Sequence, residues 1–185
     1  MLTMINIYKQ KLTNLQQEIL RLLFIQTGKE LNARQISRFL DVSHPAVSKA
    51  LPFLEKIDLI KINKDKETKR FSIEINKNNR KVIELKRVDN LKLLYDSEFV
   101  GFIEKEFAGA TIILFGSYSK GEDTINSDID IAVIGRKDKI INISEYEKAF
   151  FRKININFYS SFKEIHKNLR ENILNGIILT GGVEL

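Results

Sequence analysis

The sequence predicts an α+β protein in two parts: helices and a β-hairpin first, then a mixed sheet flanked by helices. Three observations predict it. Up to Ile57, apolar residues recur three or four apart, the period of a buried helix face. From Leu59 to Ile75 the period falls to two, as in strands. Farther on, Thr111–Phe115 and Ile129–Ile134 are short, nearly unbroken apolar runs, which read as buried strands.

The elements follow in order. Thr13 can cap a helix carrying Leu15, Ile19, Leu22, Leu23 and Ile25, and Gly28 ends it. A second helix runs from about Ala33 to Leu40 with Ile36, Phe39 and Leu40 on its apolar face. After a tight Asp41-Val42-Ser43 connection, Ser43 can cap a third helix, with Pro45 in its first turn and Val47, Leu51, Leu54 and Ile57 as its stripe. Pro52 should kink or end that helix, because it removes a backbone hydrogen bond. Leu59–Asn63 and Arg70–Ile75 form a hairpin around a polar turn. From Asn79 to Phe107 one long helix is expected, with Val82, Leu85, Val88, Leu91, Leu94 and Tyr95 in register. The second part then reads as strand 111–115, strand 129–134, helix 145–151, strand 154–159, helix 162–174 and a short edge strand, Ile177–Leu179. The domain boundaries implied are 1–76, a linker helix at 77–97, and 98–185.

Composition limits the function classes. With 43% hydrophobic and 29% charged residues in 185, a packed core is expected and global disorder is not. There is no cysteine, which excludes a disulfide scaffold and a thiolate zinc site and fits a reducing cytoplasm. No run of 18 apolar residues predicts a membrane span, and the opening MLTMINIYKQ lacks the features of a signal peptide. The charge is lopsided. Residues 1–90 hold 18 Lys and Arg against 10 Asp and Glu, a net +8, whereas residues 91–185 hold 12 against 14, a net −2. A basic first half suits a polyanionic partner.

Three helices followed by a hairpin is the order of a winged helix-turn-helix. The stretch from Ile36 to Leu51 resembles the helix-turn-recognition helix of MarR/ArsR-type regulators. The resemblance implies binding to double-stranded DNA, with Ser43, His44, Ser48 and Lys49 offered to the major groove. Lys64, Lys66, Lys69 and Arg70 would meet phosphates from the wing, and Arg34 and Arg38 from the preceding helix. It also implies a homodimer reading two half-sites. His44 reads as a surface residue and not a metal ligand, since His166 is the only other histidine.

The chemistry lies in the second half, in Leu114-Phe115-Gly116-Ser117-Tyr118-Ser119-Lys120-Gly121 and Ser127-Asp128-Ile129-Asp130. Gly116 ends a strand where backbone can approach a phosphate. Ser117 opens a short helix whose free N–H groups can hold an anion, and Lys120 can add a positive charge. Asp128 and Asp130, two apart, point to one face and suit Mg²⁺, which takes oxygen ligands beside substrate phosphates. Gly-Ser, ten residues, then Asp-x-Asp resembles the signature of the polymerase-β-like nucleotidyltransferase superfamily, in its minimal branch, over roughly residues 98–180.

That resemblance implies a nucleoside triphosphate substrate and transfer of its nucleoside monophosphate to a hydroxyl. Asp128 and Asp130 would hold the metal. Members of the superfamily usually place a third carboxylate on a later strand. Here the corresponding strand offers Asn155 and Asn157, and an amide cannot act as a general base. Glu145 and Glu147 are substitutes of lower promise, on a helix face expected to be solvated. A helix-turn-helix joined to this domain, with Glu84–Leu91 between, resembles a group of mostly archaeal proteins. The expected function is a DNA-binding regulator that holds a nucleotide and Mg²⁺. The alternative is an active enzyme that transfers AMP or another nucleotide to a protein or small molecule, in the manner of antitoxins that modify a partner.

Overall fold

Helix α1 (Asn14–Ile25) begins with a reciprocal cap. The Gln16 N–H donates to Thr13 Oγ1 at 3.3 Å, and the Thr13 N–H donates to Gln16 Oε1 at 2.9 Å. The computed structural model describes residues 12–64 and 70–183. These divide into two units, one of residues up to Phe24 with Glu30–Asn76, the other of Ile25–Lys29 with Lys77 onward.

In the first unit, helix α2 (Ala33–Phe39) opens on a capping box between Asn32 and Gln35, two bonds of 2.9 Å. Helix α3 (His44–Lys56) is capped by Ser43, whose Oγ accepts from the Ala46 N–H at 3.3 Å. Strands β1 (Ile60–Lys64) and β2 (Phe71–Ile75) pair antiparallel with Ile62 opposite Ile73, and Leu31 bridges to Ile73 as a minimal third strand. Ile19, Leu23, Ile36, Val47, Leu54 and Ile73 are all 2% exposed or less and form the core. This is the winged helix-turn-helix order that the sequence predicts.

Two details differ. The third helix does not end at Pro52 but runs on to Lys56. Both Pro52 and Ser48, whose carbonyl loses its helical partner, are exposed, so water can serve that carbonyl. Phe39, expected on the apolar face of α2, is 55% exposed.

In the second unit, two helices stand where one was expected: α4 (Arg80–Asp96) and α5 (Phe99–Glu106). The chain turns at Ser97 and Glu98, the latter at φ 61°, and the turn sends Phe99, Val100 and Ile103 into the core. The face that α4 buries is also shifted. It consists of Val82, Lys86, Asn90 and Leu94, while Leu85, Val88 and Tyr95 are exposed. Thus α4 is packed into the second unit rather than standing as a linker.

The sheet of this unit contains β3 (Thr111–Phe115), β4 (Ile129–Ile134), β5 (Ile154–Tyr159) and β6 (Ile177–Thr180). Their order is β5-β4-β3-β6, with β4 and β5 parallel and the other pairs antiparallel. Helix α6 (Gly116–Lys120) follows β3 directly, and α7 (Ser144–Phe150) is the crossover from β4 to β5. The helix expected over 162–174 is a 3₁₀ turn, Phe162–Glu164, and then α8 (Lys167–Leu174). Extended backbone at Ile165 and His166 divides them and drops Ile165 into the core at 4% exposure.

Alternation along the strands fills two cores. Ile112, Leu114, Ile129, Ile131 and Val133 join Leu94, Phe99, Ile103 and Phe150 on one face. Ile113, Phe115, Ala132 and Ile134 join Phe162, Ile165 and Ile173 on the other. Asp130 occupies the same alternate set as Ala132 and Ile134, at the amino-terminal end of β4.

Candidate functional site

Strand register brings the candidate residues together. Phe115 on β3, Asp130 on β4 and Asn155 on β5 stand side by side across the sheet. The Asn155 Nδ2 donates to Asp128 Oδ2 at 3.1 Å and to Asp130 Oδ1 at 3.2 Å. One amide nitrogen therefore collects both carboxylates. Asn157, also expected to face the pair, instead reaches the Ile131 carbonyl at 3.5 Å.

Gly116 sits directly against Asp130. Its φ is +75°, and a Cβ there would lie 2.7 Å from Asp130 Oδ2. Both the backbone conformation and the space demand glycine. From Gly116 the chain turns at once into α6, where the Ser119 Oγ donates to the Gly116 carbonyl at 2.8 Å. Ser117 is half-buried in the first turn of α6, and Lys120 is exposed at its end. The helix closes on Gly121, also at φ +75°, where a Cβ would lie 2.5 Å from the Ile83 carbonyl. Here α4 passes against the loop that leads to Asp128.

That loop is anchored by a buried ionic cluster that sequence reasoning missed. Asp123 is 1% exposed and Lys86 is 0% exposed, and the Lys86 ammonium donates to the Asp123 carboxylate. Lys86 also donates to the Asp123 carbonyl at 2.7 Å. The Asn90 Nδ2 donates to Asp123 Oδ1 at 2.7 Å and to the Tyr118 carbonyl at 3.0 Å. From the other side Arg152, 6% exposed, donates to Asp123 Oδ2 at 3.2 Å and to the carbonyls of Ile25 and Ile125 at 3.0 and 3.2 Å. Burial pushes the Lys86 ammonium below its ordinary range, against the opposing pull of Asp123. The cluster clamps α4, α6 and the segment after α7 around the loop, which Ser127 tightens further by accepting the Thr124 N–H at 2.9 Å.

The glutamates on α7 have other partners. Glu145 pairs with Lys148 at 2.8 Å. Glu147 accepts the Ile154 N–H at 3.0 Å and so starts β5. Among the described residues no group of three or more His, Cys, Asp or Glu side chains gathers as a metal site. Asp128 and Asp130 are a two-carboxylate set completed by an amide. Two carboxylates and the carbonyl oxygen that an asparagine can offer are all oxygen donors, the kind that Mg²⁺ accepts.

Residues 96–180 match the nucleotidyltransferase domain family. A protein of Methanocaldococcus jannaschii that bears the name protein adenylyltransferase is 36% identical over an alignment of 86 residues, which covers 36% of this chain and 86% of that protein. The chain belongs to the nucleotidyltransferase family.

Similar solved structures include the S. aureus MepR–DNA complex, 24% identical, covering 51% of this chain and 77% of that chain with a TM-score of 0.39. The adhesin competence repressor AdcR of Streptococcus pyogenes is also 24% identical, with 54% and 71% covered and a TM-score of 0.40. A variant of ZitR from Lactococcus lactis is 25% identical, with 54% and 64% covered and a TM-score of 0.39.

The residues expected to meet DNA lie outside the nucleotidyltransferase domain, on the first unit. Ser43, His44, Ser48 and Lys49 are exposed along the start of α3, and Arg34, Arg38, Lys64 and Arg70 are exposed too. Asn32, Ala33, Arg34, His44, Arg70 and Phe71 line one concavity of about 430 Å³. Lys66 and Lys69 lie outside the described residues. No described helix is long and apolar enough to cross a membrane.

Proposed function

We propose that the nucleotidyltransferase domain holds a nucleoside triphosphate with Mg²⁺, and that the first unit binds duplex DNA, so that the chain is a regulator with weak transfer activity. The observation that carries this reading is the Asn155 amide donating to both Asp128 and Asp130. Two carboxylates on one point can hold the ion, with Gly116 and Ser117 leaving backbone open to the phosphates and Lys120 adding charge. Such an ion, when bound, orients and polarises the phosphoryl group.

Transfer would need more. An acceptor hydroxyl must attack the α-phosphorus as pyrophosphate leaves, and its proton must go to a base. The family resemblance puts that base on the strand of Asn155, and an amide cannot take a proton. Turnover is therefore slow while binding persists. The DNA half rests on the basic first half and on the exposed Ser43, His44, Ser48 and Lys49, with two chains reading two half-sites from the cytoplasm. A gel-shift series against salt tests it. Phosphate-driven binding will weaken steeply with salt, and Arg34→Ala or Arg70→Ala will each reduce the slope by about one phosphate equivalent. No binding to any duplex at low salt would refute the regulator.

A second reading is favoured by the similarity to the protein bearing the name protein adenylyltransferase: transfer of AMP to a hydroxyl of a partner protein. Incubation with labelled ATP, Mg²⁺ and candidate partners decides between them. Label on a partner that disappears with Asp128→Asn plus Asp130→Asn would establish the enzyme.

A further inference from the structure

Phe151 stands in a conformation that its side chain opposes. It closes α7 at φ 53° and ψ 36°, in the left-handed region. Its N–H donates to the Lys148 carbonyl at 3.3 Å, and the Arg152 N–H donates to the Glu147 carbonyl at 3.2 Å. This pair of bonds ends many helices, and the residue at its centre is usually glycine. A bulky aromatic residue there is a strained choice. Burial does not repay the strain, because Phe151 is 66% exposed. The preceding Phe150 is the anchor of α7, at 2% exposure with an edge-on contact to Phe99 at 5.7 Å. Phe151 is thus held strained and turned to solvent, and such outliers cluster where ligands bind.

Its surroundings name a ligand. Phe151 lines a cleft of about 530 Å³ with Asn126, Ser127, Asp128, Lys148 and Lys153. The cleft offers an aromatic face, an amide able to meet the edge of a heterocycle, two exposed lysines and one of the two site carboxylates. Glu147 and the buried Arg152, already paired with Asp123, also line it, with Ile125 and Ser144. We propose that Phe151 is the stacking platform for the nucleobase of the nucleoside triphosphate whose phosphates lie at Asp128 and Asp130. This rests on the nucleotide-binding reading above and adds where the base lies. Any base can stack on an exposed ring, and each such contact strengthens binding by about tenfold or more.

Calorimetric titration of the full chain with Mg-ATP and with Mg-tripolyphosphate, which has no base, tests the proposal. Phe151→Gly is expected to weaken Mg-ATP about tenfold and leave Mg-tripolyphosphate unchanged. Phe151→Trp, which keeps an aromatic face, is expected to retain Mg-ATP. The glycine variant should also melt a few degrees above the parent, since the strain is relieved. Equal loss of both ligands, unchanged ATP affinity in Phe151→Gly, or a lower melting temperature would overturn the proposal. If the parent protein binds tripolyphosphate but ATP no better, the base has no platform and the proposal alone fails. If the parent binds neither, the nucleotide-binding reading fails and this inference with it.

Discussion

Asp123→Ala will remove about 3–5 kcal/mol from the second unit, a large part of the stability of a domain its size. The substitution strands two buried cations, Lys86 and Arg152, and leaves the Asn90 amide short of an acceptor. Breaking a buried pair from one side costs far more than the pair itself contributes, because the remaining charge stays desolvated. Lys86→Met should cost less. It leaves Asp123 paired with Arg152, so charge remains balanced, and its stem replaces most of the lost volume. Urea denaturation of both variants checks the order. Asp123→Ala as stable as Lys86→Met would contradict the clamp. The damage should also reach the site, since the loop from Gly121 to Ser127 carries the chain to Asp128.

Asn155→Asp will raise the rate of nucleotide transfer by about 10²–10⁴-fold, the usual contribution of a positioned general base. Residue 155 is within reach of the pair, because the Asn155 amide contacts both carboxylates and stands in register with Asp130. Three carboxylates gathered without a cation repel one another. The variant should therefore melt lower than the parent in the absence of Mg²⁺ and regain the difference when Mg²⁺ is added. Label transfer from ATP, to a partner or to water, is the readout. A variant that binds Mg-ATP as the parent does and transfers no faster would show that the missing base is not what limits turnover.

Much of the fold was legible because its strands are short, apolar and bounded by clear turn residues. Thr111–Phe115, Ile129–Ile134 and Ile154–Tyr159 stand where the pattern places them. The caps at Thr13 and Ser43 were legible from hydroxyls ahead of an apolar period. The break at Ser97–Glu98 was not. It rests on a left-handed glutamate, and no composition signal marks that. The buried face of α4 was misread for a related reason. Lys86 and Asn90 look like solvent-facing residues until Asp123, about 35 residues on, is known to meet them. The only local hint is the four-residue spacing of Val82, Lys86, Asn90 and Leu94. At the site, the Asp128–Asp130 pair was legible from its two-residue spacing. The strand facing it came only from the family resemblance, and alternation could not separate Asn155, which reaches the carboxylates, from Asn157, which turns to the Ile131 carbonyl. Phe151 was not, since its distinction lies in a backbone angle.

Calorimetric titration of Mg-ATP into the full chain, with the Asp128→Asn, Asp130→Asn double variant beside it, tests the central claim most directly. The parent protein should give a saturable binding isotherm that needs Mg²⁺, and the double variant should give none while remaining folded. A parent that binds no nucleotide in Mg²⁺, or a double variant that binds as the parent does, would contradict the account.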